Sequence, residues 1–176
     1  MSSTVRPNNL RAALDAKLAA AMSQLIELRE AEQPRVTPHL NPREIVGTFV
    51  LYARGVYSIV DAFGKAQVGD LQLSAWYGQW VDKLGEADRA LWQQLRDERS
   101  MQDHGPGGAL VDLEVTVAAD PSITAAPLGA RADVRKRLVR FAANPGRFAS
   151  HVCADYLRLA KRFADDFVRD HARFLP

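Results

Sequence analysis

The fold turns on Leu95-Arg96-Asp97-Glu98-Arg99-Ser100-Met101-Gln102-Asp103-His104-Gly105-Pro106-Gly107-Gly108, followed closely by Val111-Asp112-Leu113-Glu114-Val115-Thr116-Val117. The first stretch closes an amphipathic helix that starts near Glu86 and is anchored by Ala87, Leu91 and Leu95. Proline cannot continue the helical ladder and glycine accepts left-handed backbone angles, so the Gly-Pro-Gly-Gly run ends it. The second stretch alternates apolar and polar residues, the pattern of a half-buried strand. A change of period at this point predicts a helical protein interrupted by a β-hairpin.

Upstream, Leu10, Leu14, Leu18, Ala21, Leu25 and Leu28 recur at helical spacing to about Glu32, where Pro34 and Pro38 interrupt them. Asn41-Pro42-Arg43-Glu44 supplies a capping side chain, a proline at the first helical position and an early glutamate. The helix it starts carries Ile45, Phe49, Ala53, Val56, Val60 and Phe63 toward the core, and Gly64 and Gly69 mark where it weakens and ends. A shorter, well-buried helix is expected from Leu71 to about Leu84, with Trp76, Trp80 and Leu84 as its stripe, widened by Tyr77 and Val81. Such a stripe is a core feature before it is a ligand platform.

Downstream, Pro121 and Pro127 mark a loop, and Val134 to Phe141 reads as the returning strand, with a short basic helix as the competing reading. A last helix from about Arg147 to Phe174 repeats Val152, Tyr156, Leu159, Phe163 and Phe167. The expectation is a mainly α chain: a bundle of about five helices with a small β-hairpin, about 109–142, before the C-terminal helix. Residues 1–9 read as a frayed tail and 10–176 as a single domain.

At 176 residues with 47% apolar content the chain can bury an ordinary core. A net charge of +2 names no partner, but Arg131, Arg135, Lys136, Arg137, Arg140 and Arg147 crowd one segment. Neutralised phosphates supply most non-specific affinity for nucleic acid, so this segment is the RNA candidate. Pairing with Asp112 and Glu114 across the hairpin, or plain solvation, is the competing account. The single cysteine, Cys153, excludes an internal disulfide, fits a reducing compartment and reads as a small buried apolar residue. The N-terminus lacks the apolar run of a signal peptide. The apolar stretch Ile45–Ala53 is shorter than the roughly 20 residues of a membrane span. A cytoplasmic protein without a membrane partner is expected.

Two chemically suggestive residues close the long helix. Arg99 offers a permanently charged planar fork for phosphate oxygens, and His104 can move a proton near neutral pH. On a regular helix they lie about 140° apart, so they do not stack on one face unless the last turn distorts or a second copy completes the site. A cationic pair at a helix C-terminus is also favoured by the macrodipole alone, typically by ~0.3–1 kcal/mol. His39, His151 and His171 lack ligand-like companions, Asp155 beside His151 is too little for a metal site, and no cofactor is expected. The sequence carries no phosphate-cradling glycine motif, serine elbow or cysteine cluster.

The stretch from Trp76-Tyr77 through Leu91-Trp92-Gln93-Gln94 to Arg99 and His104 resembles the HEPN superfamily, whose signature is arginine, four to six residues, then histidine. Phe49 to Tyr57 is similar to the partner helix preceding that motif, and the hairpin followed by Val152-Cys153-Ala154-Asp155-Tyr156-Leu157 resembles the C-terminal part of some bacterial members. The resemblance spans most of the chain from about residue 42. It implies a homodimer whose Arg–His elements meet in a cleft, acting as a metal-independent endoribonuclease of toxin or defence type. An antitoxin protein is then an implied partner. Others of the family bind RNA or nucleotides without cleaving, which leaves a non-catalytic nucleotide-binding or protein-interaction module as the alternative. Carried over, Arg99 holds the phosphate and His104 serves proton transfer, with Ser100, Arg96, Arg135 and Arg137 as RNA contacts. The residue after the arginine is often asparagine in the family, and here it is Ser100.

Overall fold

The computed structural model describes residues 9–33, 40–104, 110–118 and 133–174, with side chains throughout except at 96–104, 117–118 and 133–134. The chain forms five helices and a two-stranded hairpin: α1 (Leu10–Glu32), α2 (Pro42–Gln67), α3 (Asp70–Asp82), α4 (Glu86–His104), β1 (Leu110–Ala118), β2 (Asp133–Phe141) and α5 (Ala149–Asp170). A short 3-10 turn, Ala172–Phe174, follows α5. The expected mainly α architecture with a hairpin before the last helix is therefore present. The segment that alternates less cleanly is strand and not basic helix: β2 pairs antiparallel with β1 from Leu110–Phe141 to Ala118–Asp133. The tail to residue 8, His39, the Gly105–Gly108 stop and the hairpin loop with Pro121, Pro127 and Arg131 lie outside the described residues.

Helix α2 starts as its sequence dictates. The Asn41 side chain accepts from the Arg43 backbone N–H at 3.2 Å, satisfying one donor the helix itself leaves open. The helix runs on through Gly64, and the chain turns at Gly69, whose φ of +97° suits a residue without a Cβ. Gly64 serves packing instead: a Cβ there would stand 2.6 Å from Leu73 Cδ1, so α3 approaches α2 at this point. The apolar stretch Ile45–Ala53 is short, but helix α2 as a whole reaches, by length and composition, what a membrane span needs. Those two properties are weak grounds for a span, since Val46, Phe49, Val56, Val60 and Phe63 are core residues of the bundle.

Helices α1 and α2 share the largest interface, and α5 packs on both. Phe163 of α5 is the hub of the aromatic core. Its ring centroid lies 5.0 Å from Trp80, 5.2 Å from Trp92, 5.5 Å from Trp76, 5.8 Å from Tyr57 and 6.1 Å from Tyr77. Two sequence expectations need correction here. In α3 only Leu73 and Trp80 are buried, while Leu71 is exposed and Trp76 half-buried, so the helix lies on the bundle and not inside it. In α4 the anchors are Trp92 and Leu95, with Leu91 half-buried and Ala87 exposed.

The hairpin also departs from its pattern. Alternation in β1 predicts an apolar side facing inward, yet Val111 is 55% and Leu113 37% exposed. The reason is order: β2 is the strand that packs on α2 and α5, and β1 pairs outside it. Leu138 and Val139 are both buried, so β2 is covered on both faces at that point of the strand, with Phe141 edge-on to Tyr156 at 5.7 Å. Arg43 of α2 ties β1 down by donating to the Leu110 carbonyl at 3.1 Å and pairing with Asp112 at 3.1 Å.

Candidate functional site

Helix α4 is held rigidly in its first half. Asp88 accepts two bonds from the Arg158 guanidinium, at 2.6 and 3.2 Å, and Trp92 Nε1 donates to the Tyr77 hydroxyl at 2.9 Å. The Arg158 hydrogen bond holds the Asp88 carboxyl below the ordinary carboxylate value. Five residues before Arg99, the Asn144 amide donates to Gln94 at 2.7 Å, tying the turn that leaves the basic strand to α4. The helix then continues through Arg96, Arg99 and Ser100 to His104. Its regular backbone keeps the Arg99 and His104 positions about 140° apart, in line with the sequence spacing. The side chains of Arg96, Arg99, Ser100 and His104 lie outside the described residues.

Positions 135 and 137 share one face of β2, and both arginines are exposed. The pairing expected across the hairpin is only partly present. Glu114 stands opposite Arg137 but makes its ion pair with Arg135, at 4.0 Å, and Asp112 is taken by Arg43. Among the described residues Arg137 makes no ion pair. Arg140 lies 5.1 Å over the Phe148 ring and donates to the Pro145 carbonyl at 2.9 Å, while Arg147 pairs with Asp155 at 2.8 Å. The basic segment thus splits: Arg140 and Arg147 fasten the turn, and Arg135 and Arg137 face solvent.

Lys136 stands in the same basic run by sequence and belongs elsewhere in the fold. It is buried on the opposite face of β2, where its ammonium donates to the Gln33 carbonyl at the end of α1. Burial pushes its pKa down, and the nearby Glu32 carboxylate opposes that shift. Glu32 in turn accepts from the Ser150 N–H at 3.0 Å and from the Ser150 hydroxyl, at the start of α5. A lysine at the negative end of α1 and a glutamate at the positive end of α5 each complement the helix dipole they meet.

Beside this clasp a cleft of about 400 Å³ opens, lined by Arg29, Glu32, Gln33, Phe148, Ser150 and His151. Sequence reasoning missed it because α1 and α5 are distant in the chain and none of these residues forms a motif. A far smaller cleft of about 40 Å³ lies where Trp76 and Trp80 meet Asp166 and Asp170. Among the described residues no group of three or more histidine, cysteine, aspartate or glutamate side chains could hold a metal ion. His171 is buried among the Trp76 and Phe167 rings with Nδ1 3.1 Å from the Phe167 carbonyl, and Cys153 is fully buried. Comparison with family models, with curated proteins and with solved structures found no match to this chain.

Proposed function

We propose that this chain is a HEPN-like RNA-binding protein that acts as a metal-independent endoribonuclease, with Arg99 gripping a phosphate and His104 transferring a proton. The single observation that carries the reading is the junction of α4 with the basic hairpin. The Asn144–Gln94 bond fixes the turn after β2 to α4 five residues before Arg99, and the same strand offers the exposed cations Arg135 and Arg137. The HEPN resemblance implies a homodimer, and a second copy would bring together a guanidinium and an imidazole that stand about 140° apart on one helix. Arg96 and Ser100 follow Gln94 on the same helix and extend the phosphate-binding surface.

The test is cleavage of a single-stranded RNA in the presence of a chelator. Wild type cleaves, and Arg99→Ala or His104→Ala abolishes cleavage, with affinity retained in His104→Ala. The Arg135→Ala/Arg137→Ala pair weakens binding across all sequences and lowers the salt slope by about 1 for each phosphate that is no longer neutralised. RNA neither retained nor cut by wild type at low salt rejects the reading. A second reading, a non-catalytic protein-interaction module, is favoured by the exposed Val111 and Leu113 on the outer strand. RNA retention without cleavage, unchanged by His104→Ala, would leave binding alone as the function.

A further inference from the structure

The cleft between the end of α1 and the start of α5 carries chemistry that the Arg99–His104 reading does not use. Its volume of about 400 Å³ falls within the ~300–1,000 Å³ typical of small-ligand sites. One wall is the Phe148 ring, 41% exposed, with the Arg140 guanidinium 5.1 Å from its centroid and the His151 imidazole edge-on at 5.7 Å. The rim holds Arg29 and His151, both exposed. Neither makes an ion pair among the described residues. The floor is Glu32 and Ser150.

The charge balance decides the ligand. Both Glu32 carboxylate oxygens accept bonds from Ser150, so that carboxylate is engaged at the floor, and the buried Lys136 ammonium nearby opposes its charge. The rim is then left cationic, with a guanidinium suited to a planar or tetrahedral anion and a ring nitrogen able to donate beside it. The Phe148 face supplies a stacking surface for a flat apolar body. We infer that this cleft binds a planar aromatic ring bearing an anionic group: the anion on Arg29 and His151, the ring against Phe148. The inference does not depend on Arg99 or His104.

The probe is phenyl phosphate, titrated into the full chain and followed by NMR shifts of the Phe148, Ser150 and His151 amides and by calorimetry. Saturable binding at one site is expected, with inorganic phosphate alone weaker by roughly tenfold for want of the ring. Arg29→Leu and Phe148→Leu should each weaken phenyl phosphate by roughly three- to tenfold. Both alter exposed side chains, and far-UV circular dichroism checks that the fold is kept. The Arg99→Ala/His104→Ala variant should bind as wild type, which separates this cleft from the ribonuclease reading. A short 5′-phosphorylated oligonucleotide that displaces phenyl phosphate identifies the source as a nucleic-acid end; one that does not identifies a free small molecule. Absence of saturable binding, or binding unchanged in both Arg29→Leu and Phe148→Leu, overturns the inference.

Discussion

Gly64 illustrates how much a single missing methyl group can decide. A Cβ there would meet Leu73 Cδ1 at 2.6 Å and Cδ2 at 2.9 Å, and Leu73 is itself buried. Gly64→Ala gains ~1 kcal/mol of helix propensity but forces an overpacked contact costing ~1–3 kcal/mol. The expected net result is destabilisation of about 1 kcal/mol, read as a lower urea midpoint at unchanged slope. Adding Leu73→Ala should make Gly64→Ala neutral or stabilising in that background. If Gly64→Ala costs the same in both backgrounds, the close approach of α2 and α3 is not what the glycine serves. Residues of this kind are half legible. The Asn41 cap is readable because its partner is local, whereas the role of Gly64 depends on a side chain from the next helix.

At the scale of elements, two α3 indoles and two α5 carboxylates form a ladder. Trp76 Nε1 donates to Asp170 at 3.0 Å, and Trp80 Nε1 donates to Asp166 at 3.0 Å. Burial pulls the Asp170 carboxyl up, but the bonds from Trp76 and Arg169 outweigh it and hold it below the ordinary carboxylate value. Arg169 also pairs with Asp166 at 2.8 Å, yet it is 68% exposed and screened by solvent. Trp80→Phe should therefore cost about 1–2 kcal/mol, since a donor to a charged group is removed. Arg169→Met should leave stability close to that of wild type, because solvent screens an exposed pair. Equal losses in thermal denaturation would mean that charge, not the indoles, holds α3 in place. Helical periodicity locates α3 and its tryptophans, but it cannot tell that their indole nitrogens bond to carboxylates of α5. The hairpin shows the same limit: alternation marks β1 correctly, and only the order of strands against the helices explains why Val111 and Leu113 meet solvent.

For the molecule as a whole, the titratable groups pull stability in opposite directions at the two ends of the pH scale. Asp88, Asp165 and Asp170 all sit below the ordinary carboxylate value of 3.8. A depressed folded value means stability that is present above 3.8 and lost as pH falls through the lower folded values. Chemical denaturation should show little change down to about pH 5 and a decline below it. Asp88→Asn should make that decline shallower. Lys136 behaves oppositely. Its ammonium is harder to hold folded than unfolded, so its cost is present at neutral pH and is relieved as pH climbs toward 10.5. Lys136→Met should remove that alkaline gain; an unaltered alkaline limb in this variant would contradict the assignment. The helical plan of the chain is legible because its signals are local and periodic. The cleft is not, because it forms where residues far apart in sequence converge.

The clasp between Glu32 and Ser150 joins positions 118 residues apart. On the ribosome, α1 and α2 can bury their shared face before α5 is made, but the carboxylate that finishes α1 lacks its Ser150 donors until then. A nascent chain holds that seam open until the α5 segment is available. Pairings of such long sequence separation are those that slow folding most, so closing this seam belongs among the last steps to the native state.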